Sequence, residues 1–325
     1  MSEIKLGVSL FSFSTDFVKG KLSLEDCIRS AAEIGAEGFE LVGATMLPSY
    51  PYASEKVVNE MKSMIDHYGI DFVSYGASAD RGVITGRDLT DDELVQSTIL
   101  DIKTASKLGC KLMRVQPHLS PAAVSKLIPY AENYGVQIGV EIHNPQTPSS
   151  PKVQEYVEIF EQTGSKYIGF VPDFGCFATK PNKVYWDEAL EKGAPLELLE
   201  MAANLRYDSI PQNEARQRLI HAGANEAVMG AFQGMYGFVT FTRQPDLTGL
   251  AKIMPHVLYF HGKFHYMYDH LEEASIPYED ILPVIKHSKF TGYIMSEYEA
   301  SENAVEMTKR HLQMERKILQ NLQTV

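Results

Sequence analysis

The chain of 325 residues carries 42 acidic against 30 basic side chains, a formal charge of −12, with 44% hydrophobic and 22% charged residues. At that length a core folds without disulfides or a structural metal, and the composition excludes disorder and collagen-like repeats. The acidic balance argues against nucleic acid and anionic membrane surfaces as partners, since both select for clustered Lys and Arg.

Taken in chain order, the opening MSEIKLGVSLFSFS is acidic at position 3 and polar again by Ser12, which is not the pattern of a secretory signal. Short apolar runs predict strands over 4–11, 37–42, 71–76, 111–116, 136–143, 167–173, 256–264 and 292–298. Helical periodicity between them predicts helices near 23–34, 54–68, 91–108, 120–133, 151–163, 278–287 and 302–322. The fifth of these opens on Ser150 as N-cap, with Pro151 at the first helical position. Gly35, Gly69, Gly109 and Gly135 each follow a helix and precede a strand, where a left-handed residue stops the helix. Cys27, Cys110 and Cys176 lie far apart with no C-x-x-C pair, which points to a reducing, cytoplasmic setting and away from a thiolate zinc site. No apolar run approaches the roughly 18 residues needed to span a bilayer.

Eight strands alternating with helices predict a parallel α/β fold, and eight is the number that closes a (β/α)8 TIM barrel. The competing open sheet normally carries a glycine-rich phosphate loop after its first strand. Here that segment reads FSFSTDF, and no Walker or G-x-G-x-x-G pattern occurs, so no nucleotide cofactor is expected. One barrel domain over 1–325 is expected, with a long helical insertion between the sixth and seventh strands at about 177–255. Within the insertion, helical patterns cover 187–204 and 211–233, and an aromatic run extends from Phe232 to Phe241. That run is expected to lie under a lid contact or a partner chain, since a monomer rarely leaves a large apolar patch in water.

In a barrel the active site lies at the C-terminal ends of the strands. The fifth strand ends in VEIH, with Glu141 and His143 on one side, and the sixth ends in VPDFG, with Asp173. The seventh alternates His261, Lys263 and His265 on one face, and the eighth ends in MSEYE, with Glu297. A lone carboxylate at a strand end is ordinarily a helix N-cap or a solvated charge. Three of them inside a barrel repel one another and lose hydration, so a cation is expected among them. Two Glu, one Asp and one His make an oxygen-rich set that suits Mn²⁺ or Mg²⁺, and also Co²⁺ or Fe²⁺. His143, one strand step nearer the loops, is placed to take a proton from a bound substrate or, alternatively, to orient a ligand. Lys263 and His265 are candidates for binding substrate oxygens, Lys263 alternatively for a salt bridge to a rim carboxylate. Arg114 and Gln116 on the fourth strand are further candidate substrate contacts, Arg114 alternatively an ion-pair partner. Glu40 and Tyr75 read as core-polar residues, and Cys176 as a small buried hydrophobe.

With VEIHNP, FVPDFG, FHGKF and SEYE in this order, the chain resembles the xylose-isomerase-like TIM barrels of the sugar phosphate isomerase/epimerase superfamily over essentially its full length. The resemblance implies a divalent metal, commonly Mn²⁺, held by Glu141, Asp173, His261 and Glu297. The superfamily's H-x-K pattern selects His261 over His265. Ordinary ketose epimerases carry a further Glu just after the first metal ligand, whereas the loop here, IHNPQTPSSP, has no acid and offers His143 instead. The E-I-H-N-P form, the HGKF strand and the long sixth crossover look like the large (α) subunits of bacterial C-glycoside deglycosidases. That likeness implies a small β-rich partner subunit and cleavage of the sugar–aglycone C–C bond of 3-oxo-C-glucosides derived from flavonoids, with His143 as base. The alternatives are a metal-dependent sugar isomerase or epimerase and a non-catalytic sugar-binding barrel.

Overall fold

In a computed structural model that describes residues 4–322, the apolar runs form one eight-stranded parallel sheet. The strands are β1 (Lys5–Ser9), β2 (Gly38–Val42), β3 (Asp71–Gly76), β4 (Leu112–Val115), β5 (Gln137–Ile142), β6 (Ile168–Pro172), β7 (Phe260–Phe264) and β8 (Tyr293–Tyr298). Their order is β6-β5-β4-β3-β2-β1-β8-β7, and parallel bridges Phe170–Val257 and Asp173–His261 bring the two ends together. The sheet is therefore a (β/α)8 barrel, as expected. Positions 1–3 and 323–325 of the expected domain lie outside the described residues.

The helices form where their end signals predict. Ser23 with Asp26 and Thr90 with Glu93 make reciprocal capping boxes at the helices Leu24–Glu33 and Asp91–Lys107. Gly35, Gly69, Gly109 and Gly135 all have positive φ, the conformation that ends a helix at lowest strain in glycine. Ser150 does occupy the N-cap of the helix Pro151–Thr163, but its hydroxyl accepts from Thr147 N at 2.8 Å rather than from the helix.

Strand alternation divides the barrel interior into levels. Toward the N-terminal ends, Val171, Tyr259 and Met295 fill the interior, with Val73, Leu112, Leu258 and Tyr293 packed against them. Glycines on neighbouring strands leave the room: a Cβ on Gly7 would lie 2.3 Å from Met295 Sδ, and one on Gly169 2.5 Å from the His256 carbonyl. One step up, the same faces carry Glu40, Arg114, Glu141 and His261, all buried. Asp173 and Glu297 lie one step above Val171 and Met295 on their own strands, and Lys263 a further step above His261. The apolar plug beneath and the outer helices around it therefore hold a polar, dehydrated chamber at the C-terminal ends.

The insertion is helical, but it divides differently from the two long helices expected. It contains Lys183–Glu191, Leu196–Tyr207, Gln212–His221, Glu226–Met235 and Leu247–Ile253. Gly193 and Gly223 take positive φ and break both periodic runs, and Asn225 caps the helix that restarts after the second break. The aromatic run is not an exposed patch either. Phe232 and Phe241 are buried in the insertion's own small core with Leu199, Leu219 and Val228, because the first four of these helices fold on one another. Of the aromatics between Phe232 and Phe241, Phe238 alone is exposed, at 60%.

Candidate metal centre

Glu141 of β5, Asp173 just after β6, His261 of β7 and Glu297 of β8 each offer a ligand atom within 4.8 Å of the others, and all four are buried. Register explains the meeting: Asp173 bridges His261, and Glu297 pairs with Lys263 one step beyond His261. His261 Nδ1 faces Glu141 Oε1 at 2.9 Å and Glu297 Oε2 at 3.4 Å, while Nε2 faces Glu40 Oε2 at 3.2 Å. A hydrogen on Nε2 donated to Glu40 leaves the Nδ1 lone pair aimed into the carboxylates, as a metal-binding imidazole requires. Asp173 is divided in the same way. Its Oδ1 accepts from Gly175 N at 2.7 Å and caps the turn Phe174–Phe177, so the N-cap reading of this residue accounts for one oxygen. Its Oδ2 is buried with the Lys263 ammonium 2.8 Å away but no donor in hydrogen-bonding geometry.

Five carboxylates, Glu40, Glu141, Asp173, Glu297 and Glu299, share this space with two permanent cations, Arg114 and Lys263. Three negative charges are thus unmatched while the histidines are neutral. Burial opposes ionisation of His261, but Glu297 and Glu40 outweigh it and raise the imidazole well above its ordinary range. Burial likewise pushes Asp173 up to about 6 against the pull of Lys263. Glu40 is desolvated too, yet the His261 charge and hydrogen bond bring it down to about 2. The cluster asks for positive charge, and a divalent cation held among Glu141, Asp173, Glu297 and His261 Nδ1 would meet that need.

Glu40 is held as firmly as the ligands. Ser9 Oγ donates to its Oε1 at 2.9 Å, the Tyr259 hydroxyl donates to Oε2, and Arg114 lies 3.8 Å away. Arg114 also reaches to 3.7 Å from Glu141 Oε2, so it spans two carboxylates, in keeping with the ion-pair alternative. Gln116 sits half-buried just beyond the end of β4.

On the loop side of the cluster stands His143. Its Nδ1 lies 3.0 Å from its neighbour's carbonyl, Asn144 O, and its Nε2 lies 2.7 Å from Lys263 Nζ. These two partners assign the hydrogen to Nδ1 and leave the lone pair on Nε2. Lys263 is buried between Asp173 and Glu299, 2.9 Å from Glu299 Oε1, and His265 Nε2 lies 3.6 Å from Glu299 Oε2. The exposed ring of Phe238 covers the outer side, 4.6 Å from the His143 ring and 5.8 Å from Lys263 Nζ. Cys176 is buried, its thiol donating to Ile142 O at 3.1 Å and raised by burial, as suits a small hydrophobe. Tyr75 belongs to the outer core, donating to Asp101.

Three contributors were under-read in the sequence. Glu40 is the one charge in the apolar strand GFELV, Glu299 repeats the spacing of Glu297 in SEYEA, and Phe238 lies in a run that otherwise buries itself.

The comparisons agree with this architecture. Residues 28–318 match the family model described as xylose isomerase-like TIM barrel. The 3'-dehydrocarminate deglycosidase alpha subunit of a Microbacterium species is 31% identical over 307 residues, covering 91% of this chain and 88% of the relative. The C-glycoside deglycosidase alpha subunit of Microbacterium trichothecenolyticum is 29% identical, covering 90% and 83%. Among solved structures, an L-ribulose 3-epimerase superposes with a TM-score of 0.61 at 12% identity, covering 99% of this chain and 96% of that one. A 3-keto-D-glucoside 4-epimerase from E. coli gives 0.54 at 12% identity, covering 97% and 100%. By sequence and by fold, the chain belongs to the xylose isomerase-like TIM barrel family.

Proposed function

We propose that this chain is the large subunit of a metal-dependent lyase that cleaves the C–C glycosidic bond of 3-oxo-C-glycosides. The observation that carries the reading is His143. Its Nδ1 faces a carbonyl and its Nε2 faces the Lys263 ammonium, so an Nε2 lone pair stands beside the candidate ligand cluster. The names of the two relatives support the same reading.

A C–C glycosidic bond has no oxygen to protonate, so paired-carboxylate hydrolysis does not apply. A 3-oxo group makes the C2 hydrogen acidic. Mn²⁺ is the best candidate for the cation, with Mg²⁺ and Co²⁺ as substitutes, and when bound it stabilises the negative charge growing on the 3-oxo oxygen. Glu141, Asp173, His261 and Glu297 would hold it. Lys263, already fixed by Asp173 and Glu299, turns its hydrogen bond from His143 to a sugar oxygen, which frees Nε2. His265, Arg114 and Gln116 stand ready as further polar contacts around the sugar. His143 Nε2 then removes the C2 proton, the C1–aglycone bond breaks as C1=C2 forms, and the aglycone carbon takes up a proton. The net change is loss of Ar–H from the sugar, with no oxidant consumed. A small second subunit, implied by the word alpha in the relatives' names, is proposed to complete the active enzyme in the cytoplasm.

The test is an assay of the Mn²⁺-loaded chain with and without a co-expressed small subunit. Release of a flavone from its 3-oxo-C-glucoside, with no interconversion of free ketoses, is the expected result. Ketose interconversion without aglycone release would instead make the protein an epimerase.

A further inference from the structure

Phe238 is exposed where its apolar neighbours are not. Its neighbours Phe232, Met235 and Phe241 are buried in the insertion's core, yet its own ring is 60% exposed at the mouth of the site. The backbone around it is pinned from both sides. Asn144 Nδ2, next to His143, donates to Thr240 O at 3.4 Å, Arg206 Nε donates to Thr240 Oγ1 at 2.6 Å, and Thr242 N donates to Ala178 O at 3.0 Å. The segment is thus tied to the catalytic loop on one side and to the insertion and the post-β6 turn on the other. One side of the ring lies against His143, at 4.6 Å and tilted 42°, with the Lys263 ammonium 5.8 Å from its centroid. The remaining surface is open.

We infer that Phe238 is the aglycone platform: its exposed ring surface, anchored against His143, takes a flat aromatic group attached to the sugar. This rests on the lyase reading above and names the part of the substrate that the insertion selects. The distances set the placement. A sugar whose C2 hydrogen meets His143 Nε2 carries its C1 substituent two bonds from C2, within reach of a ring already packed on the imidazole. An aromatic group there stacks in an offset or edge-on geometry and covers the apolar surface that Phe238 leaves in water. The Lys263 ammonium, 5.8 Å from the ring centroid and hydrogen-bonded to the same imidazole, adds a cation–π attraction that helps hold the platform in place. A free sugar offers this surface only C–H bonds, whereas an aromatic aglycone offers a whole ring face, so the platform would favour aryl C-glycosides over simple sugars.

The experiment uses the metal-loaded full chain with its small subunit, and two probes: a free flavone aglycone and 3-oxoglucose, which fills the sugar position alone. Dissociation constants are measured for wild type, Phe238→Ala and Phe238→Tyr. The platform predicts that Phe238→Ala weakens flavone binding about tenfold or more, changes 3-oxoglucose affinity less than twofold, and that Phe238→Tyr restores flavone binding. Equal weakening of both probes would show a lid, and no change in either would show an idle ring; each overturns the platform while leaving the lyase reading intact. Wild-type protein that binds 3-oxoglucose but no flavone would instead remove the lyase reading together with the platform.

Discussion

At His261 the two ring nitrogens do different work because different carboxylates face them. Glu40 Oε2 at 3.2 Å takes the hydrogen on Nε2, and Nδ1 is left for a cation shared with Glu141, Asp173 and Glu297. Replacing any of these four ligands by alanine should remove bound metal and activity together, since each supplies a bond to the ion. Glu40→Gln should act through His261, lowering Mn²⁺ affinity about tenfold while the ion still binds. Metal titration of the purified variants reads both effects, and full occupancy in Asp173→Ala would refute the ligand set. The four candidate ligands could be picked out because each lies on or just after a late strand, and alternation fixes which way a strand residue points. Glu40 was legible only as an inward charge. Its contact with His261 spans 221 positions and exists because the barrel closes, which periodicity along the chain cannot convey.

The helix Asp91–Lys107 carries a charge on its buried face. Asp101 is 1% exposed, with only hydroxyl donors against its oxygens: Tyr75 on β3 and Tyr50 in the loop before the cis Pro51, each at 3.1 Å. Burial pushes its carboxyl up to about 7, and the two hydroxyls pull against that only in part. The folded state therefore holds a proton that the unfolded chain, with a pKa near 4, gives up. Between about pH 4 and pH 7 unfolding releases that proton, so this group's contribution to stability falls as pH rises and is flat above the window. Asp101→Asn stays neutral and keeps an acceptor and a donor for the tyrosines. Urea midpoints at pH 5 and pH 8 should show the variant with a smaller loss on going to pH 8, the difference being on the order of 3 kcal/mol at most. An unchanged difference between the two pH values would mean that Asp101 is ionised throughout. The helix expected near 91–108 was placed within a residue or two by its periodicity and by Gly109. The insertion's helices were not, because Gly193 and Gly223 interrupt runs whose apolar spacing continues across the break.

On the scale of the whole molecule, the barrel supplies a dehydrated floor and the insertion supplies a roof. Eight strands, their order and the site's location at their C-terminal ends followed from the alternation of elements. The fate of the aromatic run did not, because whether Phe232 and Phe241 meet solvent depends on how four short helices pack on each other. No helix among the described residues is long and apolar enough to cross a membrane. The chamber concentrates carboxylates beneath His143, and the proposed tasks are separate: Glu141, Asp173, His261 and Glu297 would hold the ion, and His143 would move the proton. Those tasks separate in one measurement, the metal content and the aglycone-release rate of His143→Ala taken on the same sample. The account predicts metal at the wild-type level and a rate at least about a hundredfold lower. A near-normal rate, or loss of the metal along with the rate, would contradict it.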